Sequence, residues 1–201
     1  MKSCPAARRC AAVALLFVSA MALQACVDAL IVGGVTTGVV LATDRRQAEV
    51  MFTDQRIEYA ASSRVGEALK GQGHVNFTSY NYMVLLTGEV PTAQAKAEVE
   101  KIVAEVPQVK TVVNELQIAG ASSAASRSND AYITSKVKGN FLGNGKFKST
   151  DIKVVTEAGV VFLLGLVTRE EADAATEVAR GTGGVQKVVR VFEYVVPPAK
   201  K

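Results

Sequence analysis

Residues 160–196 set the pattern for the whole chain. An uninterrupted apolar run, Val160 to Val167, stops at Thr168 and gives way to a polar, alanine-rich segment. Gly181, Gly183 and Gly184 interrupt that segment, and a second β-rich run fills 188–196. The pattern predicts strand, helix, strand. Residues 83–118, about 76 positions earlier, repeat it. The spacing therefore predicts one small module made twice.

Each copy begins with a helix. Ile57, Ala61, Val65, Ala68 and Leu69 form one apolar stripe, with Thr53 or Asp54 expected as its N-cap and Gly71 and Gly73 as its stop. Strands follow at 74–79 and 82–90, turning at Tyr80-Asn81. Pro91-Thr92 opens a second helix with Ala95, Val99, Ile102, Val103 and Val106 on its inner face; Pro107 ends it, and 109–118 is read as the last strand. In the second copy Ile133, Val137 and Phe141 give the stripe, and residues 143–145 break it. Strands at 151–156 and 160–167 form a hairpin around Ala158-Gly159. Thr168 with Glu171 three residues on makes a capping box, and Ala172, Ala175, Val178 and Ala179 face the sheet.

A helical crossover makes the last two strands of each copy parallel, while the hairpin is antiparallel. The fold class is α+β: two tandem αββαβ modules, each a three-stranded mixed sheet packed against two helices. Val160 to Val167 lacks polar alternation, so its second face also needs cover. The two modules are expected to cover each other at least in part, with a partner or lipid site as the alternative.

Residues 1–25 read as a secretory signal: Lys2, Arg8 and Arg9 precede a short apolar core at 11–23. It ends Leu23-Gln24-Ala25-Cys26, which looks like a bacterial lipobox. Cys26 would then carry diacylglycerol and an acyl chain, a stable anchor. Val27, not aspartate, follows the cysteine, which favours the outer membrane by resemblance to lipoprotein sorting. Residues 26–52 are the lipidated N-terminus and tether. Within them the glycine-punctuated stretch 29–42 is too short to span a bilayer; it either lies at the membrane, which is favoured, or packs on the modules. The modules occupy 53–119 and 129–196, joined by a small-residue linker at 120–128, and 197–201 is read as a disordered tail.

Charge narrows the function only slightly. Without Lys2, Arg8 and Arg9, 20 basic residues face 19 acidic ones, so overall charge gives no nucleic-acid signal. The first module carries six basic and eight acidic residues across 53–119; the second carries ten and eight across 127–196. No catalytic signature is visible. His74 is the single histidine, all three cysteines lie in the first 26 residues, and no metal-ligand spacing or phosphate loop is present. Neither a cofactor nor a small-molecule substrate is expected.

The segment 130–153 is the strongest functional candidate. It places Tyr132 and Lys136 on one helix flank and adds Lys138, Leu142, Lys146, Phe147 and Lys148 around a glycine-rich turn. Lysines near an anionic surface contribute about 1 kcal/mol each, and an inserted apolar side chain adds about 1.5–3 kcal/mol. A solvated basic face with Phe147 in the core is the competing reading.

The layout resembles the BON domain, a bacterial periplasmic module. Leu85-Leu86-Thr87-Gly88-Glu89-Val90 and Leu163-Leu164-Gly165-Leu166-Val167-Thr168 carry the match. Each is followed by an alanine-rich helix and then by 109–114 or 185–190. The strand-end glycine, Gly88 or Gly165, is the recognisable position and is read as structural. Two such domains behind a lipobox are similar to the dual-BON outer-membrane lipoproteins of the lipid-binding, envelope-stress type. The resemblance implies a periplasm-facing protein that binds anionic phospholipid and supports envelope integrity, here through the second module. The alternative is an adaptor that docks onto a protein of outer-membrane assembly or the cell wall.

Overall fold

The structure, a computed structural model, describes residues 44–196. The expected signal segment, Cys26, the stretch 29–42 and the tail 197–201 lie outside the described residues. Within the described residues the order is α1 (Ala48–Leu69), β1 (His74–Tyr80), β2 (Met83–Val90), α2 (Ala93–Ala104), β3 (Thr111–Asn114) and β4 (Gln117–Ile118). The second copy follows as α3 (Ala124–Leu142), a 3-10 turn (Ser149–Asp151), β5 (Ile152–Glu157), β6 (Val160–Val167), α4 (Arg169–Arg180) and β7 (Lys187–Tyr194).

The central strand of each sheet is the apolar one, antiparallel to the hairpin strand and parallel to the crossover strand. Alternation along each strand sends side chains to two different cores. Val84, Leu86 and Val90 of β2 pack under α1 and α2 against Ile57, Val65, Val99 and Val103. Val161, Leu163 and Val167 of β6 pack under α3 and α4 against Ile133, Val137, Phe141 and Ala175. The opposite faces meet each other. Tyr80 and Leu85 of the first module pack with Phe162, Leu164 and Val191 of the second, edged by Met83, Val113, Val155 and Val189. The layers therefore run helices, sheet, sheet, helices. This accounts for the two-sided hydrophobicity of β6: its second face is covered by the other module.

Caps and turns follow local chemistry. Thr92 accepts the Ala95 amide at 3.1 Å, and the Thr168–Glu171 capping box is complete, with bonds of 3.2 and 2.8 Å. At Gly88, φ is +108° and a Cβ would stand 2.0 Å from the His74 carbonyl; at Gly165 it would stand 2.6 Å from that of Asp151. These glycines admit the neighbouring strand's backbone.

Four local expectations change. The first helix starts at Ala48, so Thr53 and Asp54 are buried mid-helix residues and cap nothing. Residues 48–52, expected in the tether, are helix. The hairpin turns at Asn81-Tyr82, not Tyr80-Asn81. Tyr80 closes the β1 register opposite Met83, is 1% exposed, and its hydroxyl donates to the Asp151 carbonyl at 3.1 Å. Burial pushes its phenol up to about 12, so it stays a donor. The last strand of the first module breaks after Asn114, whose side chain accepts the Leu116 amide at 3.2 Å while Leu116 turns into the core. It resumes as β4, still paired to β2, so this sheet has four strands. In the linker, Ser123 caps α3 at 3.1 Å, and 124–128 are already helical.

Candidate functional site at the second module

Helix α3 buries Asp130, Ile133, Val137 and Phe141. At 100° per residue the opposite, outward face is centred on Ser135 and Gly139. Tyr132 and Leu142 stand on either side of that centre, 62% and 77% exposed, roughly 15 Å apart along the axis at 1.5 Å per residue. Lys136 and Lys138 flank the face on opposite sides.

The structure does not bring the candidate residues together at one place. Lys136 leans over the Tyr132 ring at 5.2 Å and donates to the Gly183 carbonyl. Lys138 and Leu142 line a small hollow of about 190 Å³ with Phe141, Ser149 and Thr150. Lys146 faces a different hollow, of about 840 Å³, beside Arg45, Thr168 and Glu171. Lys148 is exposed just before the 3-10 turn. Phe147 is half-buried and packs edge-on against Phe141, centroids 4.9 Å apart. It is a wall of the core rather than an outward residue. The loop between them is held by its own bonds: Asn144 donates to the Phe141 carbonyl and accepts the Lys146 amide at 2.8 Å.

Several interacting residues are invisible to local pattern. Asp54 accepts from Ser79 Oγ at 2.7 Å, from the Asn81 and Tyr82 amides at 2.8 Å each, and from Arg46 at 2.9 Å. Asp130, its equivalent 76 residues on, accepts the Ala158 and Gly159 amides at 3.0 and 2.9 Å. Each carboxylate pins the hairpin turn of its own module. Locally Asp130 shows only a charge; aligning the two repeats is the signal that pairs it with Asp54.

The entry segment engages both modules. Arg46 binds Asp44 and Asp54 and lies 3.8 Å over the Tyr80 ring. Arg45 grips Glu171 with two bonds of 2.8 and 2.6 Å, donates to the Leu166 carbonyl at 2.9 Å and meets buried Asp151 at 2.9 Å. Arg45 and the Thr168 amide hold the Glu171 carboxyl down at about 2, from an ordinary 4.5, while burial pushes Asp151 up despite Arg45. A depressed carboxylate stabilises the fold above its unfolded value and loses that contribution as pH falls through the folded one. Because solvent screens this partly exposed pair, less than the full shift counts, and on the order of 2 kcal/mol from Glu171 is expected to disappear between pH 4.5 and about 2. Asp151 acts in the opposite sense, since protonation relieves its burial. In urea titrations at stepped pH, Glu171→Gln should flatten this acid limb; an unchanged slope would remove Arg45–Glu171 from the account.

No metal-ligand spacing is visible along the chain, yet the folded structure places His74, Glu89 and Glu157 side by side at the edge of the sheet–sheet interface. Burial pushes the Glu157 carboxyl up, opposed by the Asn76 bond and reinforced by Glu89.

This is a pair of αββαβ modules joined sheet to sheet, with an exposed helix face on the second. The BON domain model matches residues 53–120 and again 129–195. The chain is 39% identical over 184 residues to the outer membrane lipoprotein DolP of Haemophilus influenzae, covering 90% of this chain and 95% of that one. It is 35% identical over 154 residues to a 21 kDa hemolysin of Actinobacillus pleuropneumoniae, covering 76% and 79%. It is 43% identical over 61 residues, about one module's length, to the osmotically-inducible protein Y of Escherichia coli, covering 30% of each. The chain belongs to the BON-domain family, in its tandem form, and is a lipoprotein of the outer membrane. Among the described residues no helix is long and apolar enough to cross a membrane.

Proposed function

We propose that the chain is an adhesive, non-catalytic envelope protein, anchored through lipid on Cys26 and facing the periplasm. Its second module touches anionic phospholipid through the outward face of α3. The observation that carries this reading is the Tyr132–Leu142 crest, two large exposed side chains flanked by Lys136 and Lys138. The small residues between them, Ser135 and Gly139, let a flat surface approach; a Cβ at Gly139 would meet nothing within 4 Å. The near-full-length likeness to an outer membrane lipoprotein supports a role in envelope integrity. The adaptor alternative loses its main motivation, because the two-sided apolar strand is covered by the other sheet.

Vesicle co-sedimentation of the fragment 44–201, which holds all three cores, tests the proposal without interference from the anchor. Binding to phosphatidylglycerol or cardiolipin vesicles is expected, with little to phosphatidylcholine. Lys138→Glu with Leu142→Glu is expected to weaken it at least about tenfold, since one lysine contributes about 1 kcal/mol near an anionic surface and a buried leucine about 1.5–3. Both side chains are exposed, so circular dichroism should be unchanged. Equal pelleting on neutral and anionic vesicles, or full binding by the variant, would count against lipid recognition by this face.

A further inference from the structure

Along β2 the face turned to the second module changes character from Met83 and Leu85 to Thr87 and Glu89. Its polar end carries an assembled group of side chains. His74 opens β1, Glu89 lies near the end of β2 and Glu157 ends β5. One donor atom from each lies within 4.8 Å of the others. Glu89 and Glu157 are 6% and 7% exposed. Glu157 accepts from Asn76 Nδ2 at 2.9 Å, and Glu89 accepts the Ser122 amide at 3.1 Å. His74 Nδ1 stands 3.8 Å from Glu89 Oε2, too far for a hydrogen bond, and is buried with no partner.

Two carboxylates withdrawn from water beside an orphaned ring nitrogen are an unusual arrangement. Buried charges are ordinarily paired or coordinated to a metal. Arg127 lines the adjoining hollow, of about 320 Å³, but its guanidinium is engaged with the Ser122 carbonyl. One imidazole nitrogen and two carboxylate oxygens form a donor set suited to zinc and neighbouring divalent transition ions, with a position left for water.

We propose that His74, Glu89 and Glu157 form a divalent transition-metal site that clamps the first module to the second. Ligand bonds of about 2.1 Å require donor atoms about 3.4 Å apart in a tetrahedral shell, so side-chain rotation of about an ångström closes the set. His74 has room for it, its side chain being 31% exposed. The hollow beside the cluster supplies an entry path. Two ligands come from one module and the third from the other, so the bound ion opposes separation of the sheets at the end where apolar contact gives out.

The test uses the full chain in detergent micelles, titrated with zinc chloride by calorimetry and followed by thermal unfolding. A 1:1 interaction in the micromolar range or tighter is expected, with a rise in Tm of several degrees under excess zinc. Glu157→Gln keeps the side chain's shape and should leave the metal-free protein at least as stable, yet weaken zinc binding at least about tenfold and remove the Tm rise, as loss of one of three ligands requires. His74→Ala should do the same to binding. No heat from the wild-type chain at 100-micromolar zinc (a ceiling about a hundredfold above the expected range) would overturn the proposal. So would zinc affinity undiminished in both variants, which would place the ion on other donors.

Discussion

Leu85→Asp is expected to leave no folded two-module unit. Leu85 is fully buried between the two sheets and packs with Phe162, Leu164 and Val191 of the other module. Truncating such a side chain to alanine costs about 2–5 kcal/mol through lost burial and the cavity left behind. Aspartate adds an unpaired charge in a dry interface, and the sum reaches the total stability of about 5–15 kcal/mol that a domain has available. Urea unfolding with circular dichroism checks both substitutions. Leu85→Ala should unfold in one transition at reduced midpoint, and Leu85→Asp should show no native baseline or two separate transitions. A Leu85→Asp chain as stable as wild type would mean that the sheets do not face each other.

The second large effect is expected at the helix-borne aspartates. Both hairpins turn through two residues with positive φ: Asn81 and Tyr82 at 54° and 69°, Ala158 and Gly159 at 48° and 75°. This is the turn that matches strand twist, but it is costly for residues other than glycine and asparagine. Tyr82 and Ala158 hold it because carboxylates fixed on α1 and α3 accept the amides of the turn. Asp54→Ala would free two turn amides, Ser79 Oγ and Arg46 together, and a cost of about 3–5 kcal/mol is expected, as for a broken buried pair. Asp130→Ala, with two bonds to lose, should cost about 2 kcal/mol. Asparagine cannot replace either, since one of its two terminal groups is a donor. Hydrogen exchange at the Asn81 and Gly159 amides gives a local check. If Asp54→Ala shifts stability by less than about 0.5 kcal/mol, the range of a neutral surface change, the carboxylate does not hold the turn.

The cover over β6 shows how a pattern can be legible while its cause is not. Eight residues without polar alternation announced that both faces are buried and made the sister module the expected cover, but a lipid or a partner protein was compatible with the same pattern. Only the pairing of Leu85 and Tyr80 with Phe162 and Leu164 chooses among them. The candidate site behaves similarly. The helical stripe of Ile133, Val137 and Phe141 located the flank that carries Tyr132 and Lys136, because periodicity is a local property, while Leu142 was picked out only by its place beside the glycine-rich turn. The stripe did not separate Lys146 from Lys138, and it left Phe147 undecided between core and surface, because those answers depend on how the 143–148 loop folds back.

By itself the sequence determined the duplication, the αββαβ order of each copy, the helix faces and the Thr168 capping box. All of these rest on interactions within a few residues or on strict periodicity, and a single chain carries such signals directly. The tertiary structure alone decided which side chains meet between the two sheets, the Arg45 and Arg46 contacts, the turn-pinning role of Asp54 and Asp130, and the meeting of His74 with Glu89 and Glu157. In these pairs the partners lie up to 126 positions apart. A charge or hydrogen-bonding group seeks a partner by position in space, and no local spacing records where a strand 70 residues away will bring one.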